Sequence, residues 1–314
     1  MKSAIVQLCS DTPLRMLFTH WKGSRLPILM LHRFSAEPLA GRTSAASLEN
    51  FLQLAKRGGW SGIRLDELAQ RLDKGRLPKS CFCLTVDDGY RDFADVAQPL
   101  LQQFDVPATV FLTTGFVDAA LWQWWDRVQL GFEKLSRPAA GAFVESLKSL
   151  PQAERLQQLH EFESELSEPL PSAPPERFAA MDWEQVRRLA SLGIEFGAHT
   201  VTHPILSQLA SEEEVRAEIH GSIERLAGAT GEPVRSFAFP NGRDADFDSR
   251  AIRALEESEL LCAVTTRPRF LDAQSWTRPQ GRWTLPRLSF PETPRQQAAL
   301  LSGFEAAKAS LRGE

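Results

Sequence analysis

Short apolar runs alternate along most of the chain with segments that have helical periodicity. Apolar runs at 27–31, 82–86 and 108–113 predict buried strands, because each is four to six residues long and flanked by polar positions. Apolar positions spaced as on one helix face predict helices at 47–57, which stops at two glycines, and at 92–104. The pattern indicates βα units and a mainly parallel sheet.

The same alternation continues in the second half of the chain. Ser211, with a glutamate three residues later, has the form of a capping box and predicts a helix to about residue 229. Four further strands are predicted at 194–198, 236–239, 261–265 and 285–290. About seven strands are enough for an α/β fold that curls into a complete or incomplete barrel.

One region, from about residue 116 to 181, interrupts this alternation and predicts a helical insertion within a single domain that spans 1–314. A tryptophan cluster at 121–126 begins it, and a Pro/Ser-rich loop or linker at 169–175 lies near its end. Helically spaced aromatic residues usually face a core. Packing is therefore the favoured interpretation of the cluster, with a wall of the active site as the alternative.

Composition restricts the function classes. A formal net charge of −4 gives no reason to expect nucleic acid as a partner, and no apolar stretch is long enough to span a membrane. Residues 1–9 lack the apolar core of a signal peptide. Cys81 and Cys83 alternate within a strand-like run and are expected to be small core residues. The four cysteines show no disulfide pattern, which fits a reducing compartment; they are Cys9, Cys81, Cys83 and Cys262. We therefore expect a soluble cytoplasmic protein.

The candidate chemistry lies where predicted strands end. Asp87 and Asp88 close the run 82–86, and His199 and His203 follow the run 194–198. One carboxylate and two imidazoles are the protein ligands of an open catalytic metal site, and the other carboxylate can act as a base on water. Asp-Asp-Gly alone is a common turn and a His pair alone can arise by chance, but both at strand ends indicate an active site.

Three motifs resemble those of the polysaccharide deacetylases, the NodB-homology or carbohydrate esterase family 4 proteins. Residues 85–89, Thr-Val-Asp-Asp-Gly, resemble the first motif, and 199–203, His-Thr-Val-Thr-His, resemble the second. Residues 237–242, Phe-Ala-Phe-Pro-Asn-Gly, resemble a variant of the third. The resemblance runs from about residue 27 to 290 and implies a distorted (β/α)7-type barrel.

Carried over by position, the resemblance assigns a role to each motif residue. It implies that Asp87 is the general base and that Asp88, His199 and His203 hold a divalent metal. Zn²⁺ is the expected ion, with Co²⁺, Ni²⁺ or Fe²⁺ as alternatives. A backbone N–H after Pro240, that of Asn241, would stabilise the oxyanion.

The general acid departs from the common family pattern, in which a late Leu-x-His motif supplies it. No histidine follows His220, and the late strand carries Arg287 instead. Residues 29–33, Leu-Met-Leu-His-Arg, resemble a circularly permuted branch whose acid histidine lies on the first strand. His32 is therefore the candidate acid, with a structural histidine at a strand end as the alternative. Arg287 is expected to contact the substrate or to support another site residue.

The third motif departs too, because Ala238 stands where many members have the arginine that orients the base. That support must come from elsewhere or be absent. The resemblance implies a deacetylase of N-acetylated sugars in a polysaccharide or a glycan precursor, with the glycan as partner. Hydrolysis of another non-peptide C–N bond and a non-catalytic carbohydrate-binding relic are the alternatives. Oligomeric state cannot be read from the sequence.

Overall fold

The computed structural model describes residues 25–303 and 305–306. The strands of this part of the chain are β1 (Ile28–Leu31), β2 (Phe34–Ser35), β3 (Thr43–Ser44), β4 (Ser61–Gly62), β5 (Cys81–Val86), β6 (Thr109–Leu112), β7 (Glu195–Ala198), β8 (Ser236–Ala238), β9 (Cys262–Val264) and β10 (Leu288–Ser289). Its α-helices are α1 (Ala45–Arg57), α2 (Leu65–Asp73), α3 (Gln98–Phe104), α4 (Thr114–Val117), α5 (Trp124–Lys134), α6 (Ala140–Lys148), α7 (Gln152–Ser164), α8 (Trp183–Ser191), α9 (Glu212–Thr230), α10 (Ser249–Glu256), α11 (Ala273–Thr277) and α12 (Pro294–Leu301). Residues 1–9 and His20 lie outside the described residues, so the cytoplasmic location stays a prediction.

Seven parallel strands form one curled sheet in the order β10, β1, β5, β6, β7, β8, β9, and β4 adds to the start of β5. The segment 285–290 joins the two edges of this sheet. Leu285 bridges Val264 of β9, and the Leu288 that follows pairs with Leu29 of β1. The sheet thus closes on itself, and the predicted distorted (β/α)7 barrel is confirmed.

Each of the seven predicted strands overlaps an observed one; six of the observed strands are shorter than predicted, and β5 begins one residue earlier, at Cys81. The last differs most, because the predicted strand 285–290 changes neighbour partway and only Leu288–Ser289 pairs as β10. The helix predicted at 92–104 begins as a π-helix, Phe93–Ala97, in which the N–H of Gln98 donates to the carbonyl of Phe93. Pro99 has no N–H for the usual bond to residue 95, which explains the wider first turn.

Strand residues alternate between two environments. Outward-facing side chains such as Leu84 and Phe237 pack against the surrounding helices, and inward-facing ones such as Phe111 and Val264 fill the barrel. Cys81 and Cys83 are buried free thiols of this inner cluster, as predicted, and Cys262 is a third. Cys9 lies outside the described residues.

The connection between β6 and β7 is the longest in the described barrel and holds α4 to α8. Helices α5, α6 and α7 enclose an apolar cluster of their own, formed by Val128, Leu147, Leu159 and Phe162. These helices lie within the predicted insertion, and 169–175 is a loop. Among the described residues, no helix has both the length and the apolarity to cross a membrane.

Candidate active site

The register of β1 and β5 brings the first two site residues together. Leu31 pairs with Val86, so His32 and Asp87 leave neighbouring parallel strands side by side at the C-terminal face of the barrel. His32 Nε2 lies 3.8 Å from Asp87 Oδ2, too far for a hydrogen bond. The His32 side chain is 45% exposed, so a ligand can reach it.

A tight turn directs the two aspartates to different partners. Asp88 and Gly89 have φ angles of 76° and 93°, in the left-handed region that favours glycine. A Cβ at position 89 would come within 2.7 Å of Leu112 Cδ2, so both space and conformation call for glycine there. The turn leaves Asp87 above the barrel interior and Asp88 facing the histidines.

Asp88, His199 and His203 form a converging set of donor atoms. Asp88 Oδ1 lies 3.5 Å from Nε2 of His199 and 3.5 Å from Nε2 of His203. One ligand atom from each of the three buried residues lies within 4.8 Å of the other two. His199 Nδ1 lies 2.7 Å from the carbonyl of Ala238, which turns Nε2 toward Asp88. This backbone contact fixes the ring in the way typical of metal-binding histidines.

Local structure also positions His203. Its backbone N–H donates to Thr200 Oγ1 at 3.0 Å, and its φ is 59°. Burial and the neighbouring His199 lower the pKa of His203 to about 3, which keeps the imidazole neutral. Burial disfavours the charged form of Asp88 and would raise its pKa. His199 and His203 stabilise the charged form, and the pKa of Asp88 is lowered. The pKa of His199 is raised instead, because the carboxylates of Asp88 and Asp87 outweigh the effect of its burial. An ionised carboxylate beside two imidazoles suits a divalent ion such as Zn²⁺, which would bind His199 in its deprotonated form.

Arg287 binds Asp87 through the two terminal nitrogens of its guanidinium group. Nη1 donates to Asp87 Oδ1 at 2.6 Å and Nη2 to Oδ2 at 2.8 Å, and the Arg287 side chain is fully buried. Arg287 Nε donates to the carbonyl of Thr265 at 3.0 Å, and Nη1 also reaches Thr85 Oγ1 at 3.2 Å. Burial would raise the pKa of Asp87, but the arginine outweighs it and the pKa is lowered. Asp87 is therefore ionised and fixed in orientation.

This pairing bears on the two expectations for Arg287. Its guanidinium binds Asp87 and does not line the cavity of the site, which favours the expectation that it supports another site residue. A contact of Arg287 with the oxyanion or the substrate stays a prediction. Arg287 lies about 50 residues after Ala238, the position where many members have the arginine that orients the base.

The loop after β8 places Asn241 at the site. Its φ is 55°, and its carbonyl accepts a hydrogen bond from Thr266 Oγ1 at 2.8 Å. The backbone N–H of Asn241 donates to no acceptor in the part of the chain that the structure describes. Asn241 lines the cavity, whereas Pro240 is buried beneath it and shapes the loop. The N–H of Asn241 is thus available to a ligand.

The candidate residues open into one cavity of about 580 Å³, within the range of small-molecule sites. Helices α5 and α6 of the inserted region form its outer wall. Trp125 is part of this wall, and its ring lies 4.7 Å from the His203 ring between centroids. Trp124, in contrast, packs against the apolar cluster of the inserted helices. Packing is therefore the wrong interpretation for Trp125 and the right one for Trp124.

A buried hydrogen-bond chain that the sequence did not reveal holds Trp125. Its Nε1 donates to Tyr90 Oη at 2.9 Å, and Tyr90 Oη donates to Asp126 Oδ2 at 2.6 Å. Burial raises the pKa of Asp126 to about 7. One face of α5 carries Trp125, Gln129 and Glu133. This mixture of aromatic and polar side chains at helical spacing is the sequence signal that could have predicted a helix face that lines the site.

The remaining histidines lie outside the site. His220 Nε2 contacts the carbonyl of Ala254 at 2.7 Å, and His160 is exposed on α7. Both were expected to be ordinary surface or packing residues.

A parallel barrel that carries these groups on its C-terminal face defines the protein as a (β/α)-barrel hydrolase. A family model described as "Polysaccharide deacetylase" matches residues 74–261, more than half of the chain. The chain therefore belongs to the polysaccharide deacetylase family, whose members hydrolyse the carbon–nitrogen bond of N-acetyl groups on sugars. The resemblance inferred from the motifs is confirmed.

Individual relatives are distant but cover most of the chain. YxkH of Bacillus subtilis (strain 168), which carries the family's name, is 21% identical over 268 residues, 85% of this chain and 72% of YxkH. Streptococcus pyogenes deacetylase PplD, solved in complex with acetate, has a TM-score of 0.62 and 20% identity over 88% of this chain and 97% of its own. IcaB from Ammonifex degensii has a TM-score of 0.62 and 18% identity, with coverages of 90% and 98%. These two structures share the fold.

Proposed function

We propose that this protein is a metal-dependent deacetylase that hydrolyses the N-acetyl group of an amino sugar in a polysaccharide or a glycan precursor. One observation carries the proposal: a buried carboxylate, Asp87, is fixed by Arg287 beside a three-donor cluster, and both face the same cavity. A buried, ionised base next to a set of metal ligands is costly to maintain, and hydrolysis gives it a use.

Asp88, His199 and His203 would hold the metal, and their two imidazoles and one carboxylate suit Zn²⁺, with Co²⁺, Ni²⁺ and Fe²⁺ as alternatives. When bound, such an ion supplies Lewis acidity to water and to the acetamide carbonyl. Three protein ligands leave an open position, as catalytic sites require.

Asp87 acts as the general base in this proposal. Each of its oxygens accepts one hydrogen bond from Arg287 and keeps a further lone pair for the attacking water. The lowered pKa of Asp87 keeps the carboxylate ionised, and only the ionised form can accept a proton. The N–H of Asn241 donates to the negative charge that develops on the acetamide oxygen.

His32 acts as the general acid. It is half exposed at the cavity, and Nε2 lies 3.8 Å from the carboxylate that receives the first proton. From this position it can protonate the amine that leaves when the C–N bond breaks. Arg287 weakens the alternative of a non-catalytic relic. It orients Asp87 from the segment before β10, although position 238 holds an alanine where many members have an arginine.

Replacing Asp87 tests the proposal. D87N protein reconstituted with Zn²⁺ should release acetate from N-acetylglucosamine oligomers about 10²–10⁴-fold more slowly than the unaltered protein. Its zinc content should stay the same, because the three ligands are intact. D95N, a change of an exposed aspartate on the π-helix, is the matched control and should keep full activity. Undiminished turnover in D87N would refute the assignment of the base.

A further inference from the structure

The two histidines of the three-donor cluster are oriented by different means. His199 Nδ1 contacts the carbonyl of Ala238 at 2.7 Å, and this contact fixes the plane of the ring. His203 Nδ1 is buried and has no hydrogen-bond partner among the described residues. A metal-binding histidine usually has such a partner on its second nitrogen. The hydrogen bond from the His203 backbone to Thr200 fixes the main chain but not the rotation of the imidazole.

Contacts between rings restrain His203 instead. The Trp125 ring lies 4.7 Å from the His203 ring between centroids, at an angle of 66° between the two planes. The His199 ring lies 4.8 Å from it, at 80°. These are the distances and angles of edge-to-face packing. A rotation of the imidazole would break this packing, so the two rings hold His203 Nε2 toward Asp88 Oδ1.

Trp125 can restrain its neighbour because it is itself restrained. Its Nε1 donates to Tyr90 Oη at 2.9 Å, and Tyr90 Oη donates to Asp126 Oδ2 at 2.6 Å. The guanidinium of Arg33 lies 3.7 Å from the centroid of the Tyr90 ring. Tyr90 and Asp126 are buried, so this chain of contacts is shielded from competing water.

We propose that Trp125 is a positioning residue for His203, so that helix α5 of the inserted region sets the metal affinity of the site. This inference rests on the proposed function. A ring that is held before the ion arrives loses little freedom when it binds. An imidazole that rotates freely points Nε2 toward the other two ligands for only part of the time, and the affinity falls by that fraction.

The test measures metal binding with no glycan present, because Trp125 also lines the cavity and a loss of activity alone would not separate the two roles. The metal-free full chain is titrated with Zn²⁺ in competition with a chromophoric chelator. W125L removes the aromatic ring and should weaken Zn²⁺ binding about 10–100-fold, the usual effect of losing a residue that orients a ligand. W125F keeps an aromatic ring beside His203 and should bind within about threefold of the unaltered protein.

W276L is the matched control. Trp276 is 8% exposed, and its Nε1 donates to Asp73 Oδ1 at 3.2 Å, so its loss also removes a packed and hydrogen-bonded indole. It lies at the other end of the barrel, and W276L should bind Zn²⁺ as the unaltered protein does. The visible absorption of bound Co²⁺ is a second measurement, since it reports the geometry of the ligands. This spectrum should change in W125L and stay the same in W125F and W276L.

The outcomes separate the two proposals. Unchanged Zn²⁺ affinity in W125L, an equal loss in W276L, or a loss in W125F as large as that in W125L would overturn the positioning role and leave the deacetylase intact. Tight Zn²⁺ binding by the unaltered protein without acetate release from N-acetylglucosamine oligomers would overturn the proposed function alone. An unaltered protein that binds no Zn²⁺ would overturn both.

Discussion

The pair formed by Arg287 and Asp87 should stabilise the fold as well as the site. The change R287M keeps most of the volume of the side chain and removes its charge. It leaves Asp87, which is 2% exposed, as a buried carboxylate without its cation. The prediction is a large loss of stability, because an unpaired buried charge has no water to replace its partner.

The size of the loss follows from the contacts. Two charged hydrogen bonds of 2.6 and 2.8 Å are removed, each of them worth about 1.5–3 kcal/mol. The sum agrees with the ~3–5 kcal/mol that removal of one partner of a buried ion pair usually costs. This is a large part of the ~5–15 kcal/mol that stabilises a typical protein.

The assay is equilibrium unfolding in urea at pH 7, followed by circular dichroism. The double variant D87N/R287M removes both charges and is the control that isolates the pair. It should recover most of the stability lost in R287M, because the buried charge at position 87 that R287M leaves unpaired is also removed. A loss below about 1 kcal/mol in R287M, or no recovery in the double variant, would refute the argument that a charge is buried and compensated at this point.

Two further predictions concern the chain of hydrogen bonds behind the site. Asp126 has its pKa raised by burial to about 7, so the folded protein keeps a proton that the unfolded chain loses near pH 4. Its contribution to stability is therefore complete below pH 4 and is lost as the pH rises through 7. Between pH 4 and 8, the unfolding free energy of D126N should fall by less than that of the unaltered protein, the difference being on the order of 3 kcal/mol. Parallel curves of unfolding free energy against pH for the two proteins would contradict this. Trp125 lies beside His203, so Co²⁺ bound at the proposed site should quench part of the tryptophan fluorescence. The quenching by Co²⁺ should be smaller in W125F and unchanged in W276F, because Trp276 lies at the other end of the barrel. Equal quenching in both variants would place the ion elsewhere.

Much of the fold could be predicted because local pattern decides it. A strand buried on both faces has a sequence that is a short apolar run, and each of the seven runs overlaps an observed strand. The parallel arrangement then brings strand ends to one face. For this reason Asp88 could be grouped with His199 and His203 although more than 100 residues separate it from them. Knowledge of which residues follow each strand was sufficient.

Contacts between side chains that are distant in sequence could not be predicted in the same way. Arg287 and Asp87 are 200 residues apart, and no periodicity indicates that one orients the other. Trp124 and Trp125 are neighbours in one helix, yet one packs among the inserted helices and the other faces the site. Helical spacing predicts on which face of a helix a side chain lies, but it does not predict which residues that face packs against.

The segment that closes the barrel also carries Arg287, and this has a consequence for when the protein becomes active. As the chain leaves the ribosome, Asp87 emerges early, but its arginine follows only after almost the whole barrel has been made. Until that segment lies between β9 and β1, the carboxylate has no fixed orientation and the last gap in the sheet is open. One event in folding therefore closes the barrel and orients Asp87 together. If Asp87 is the base, as proposed above, a partly synthesised chain cannot act on a glycan.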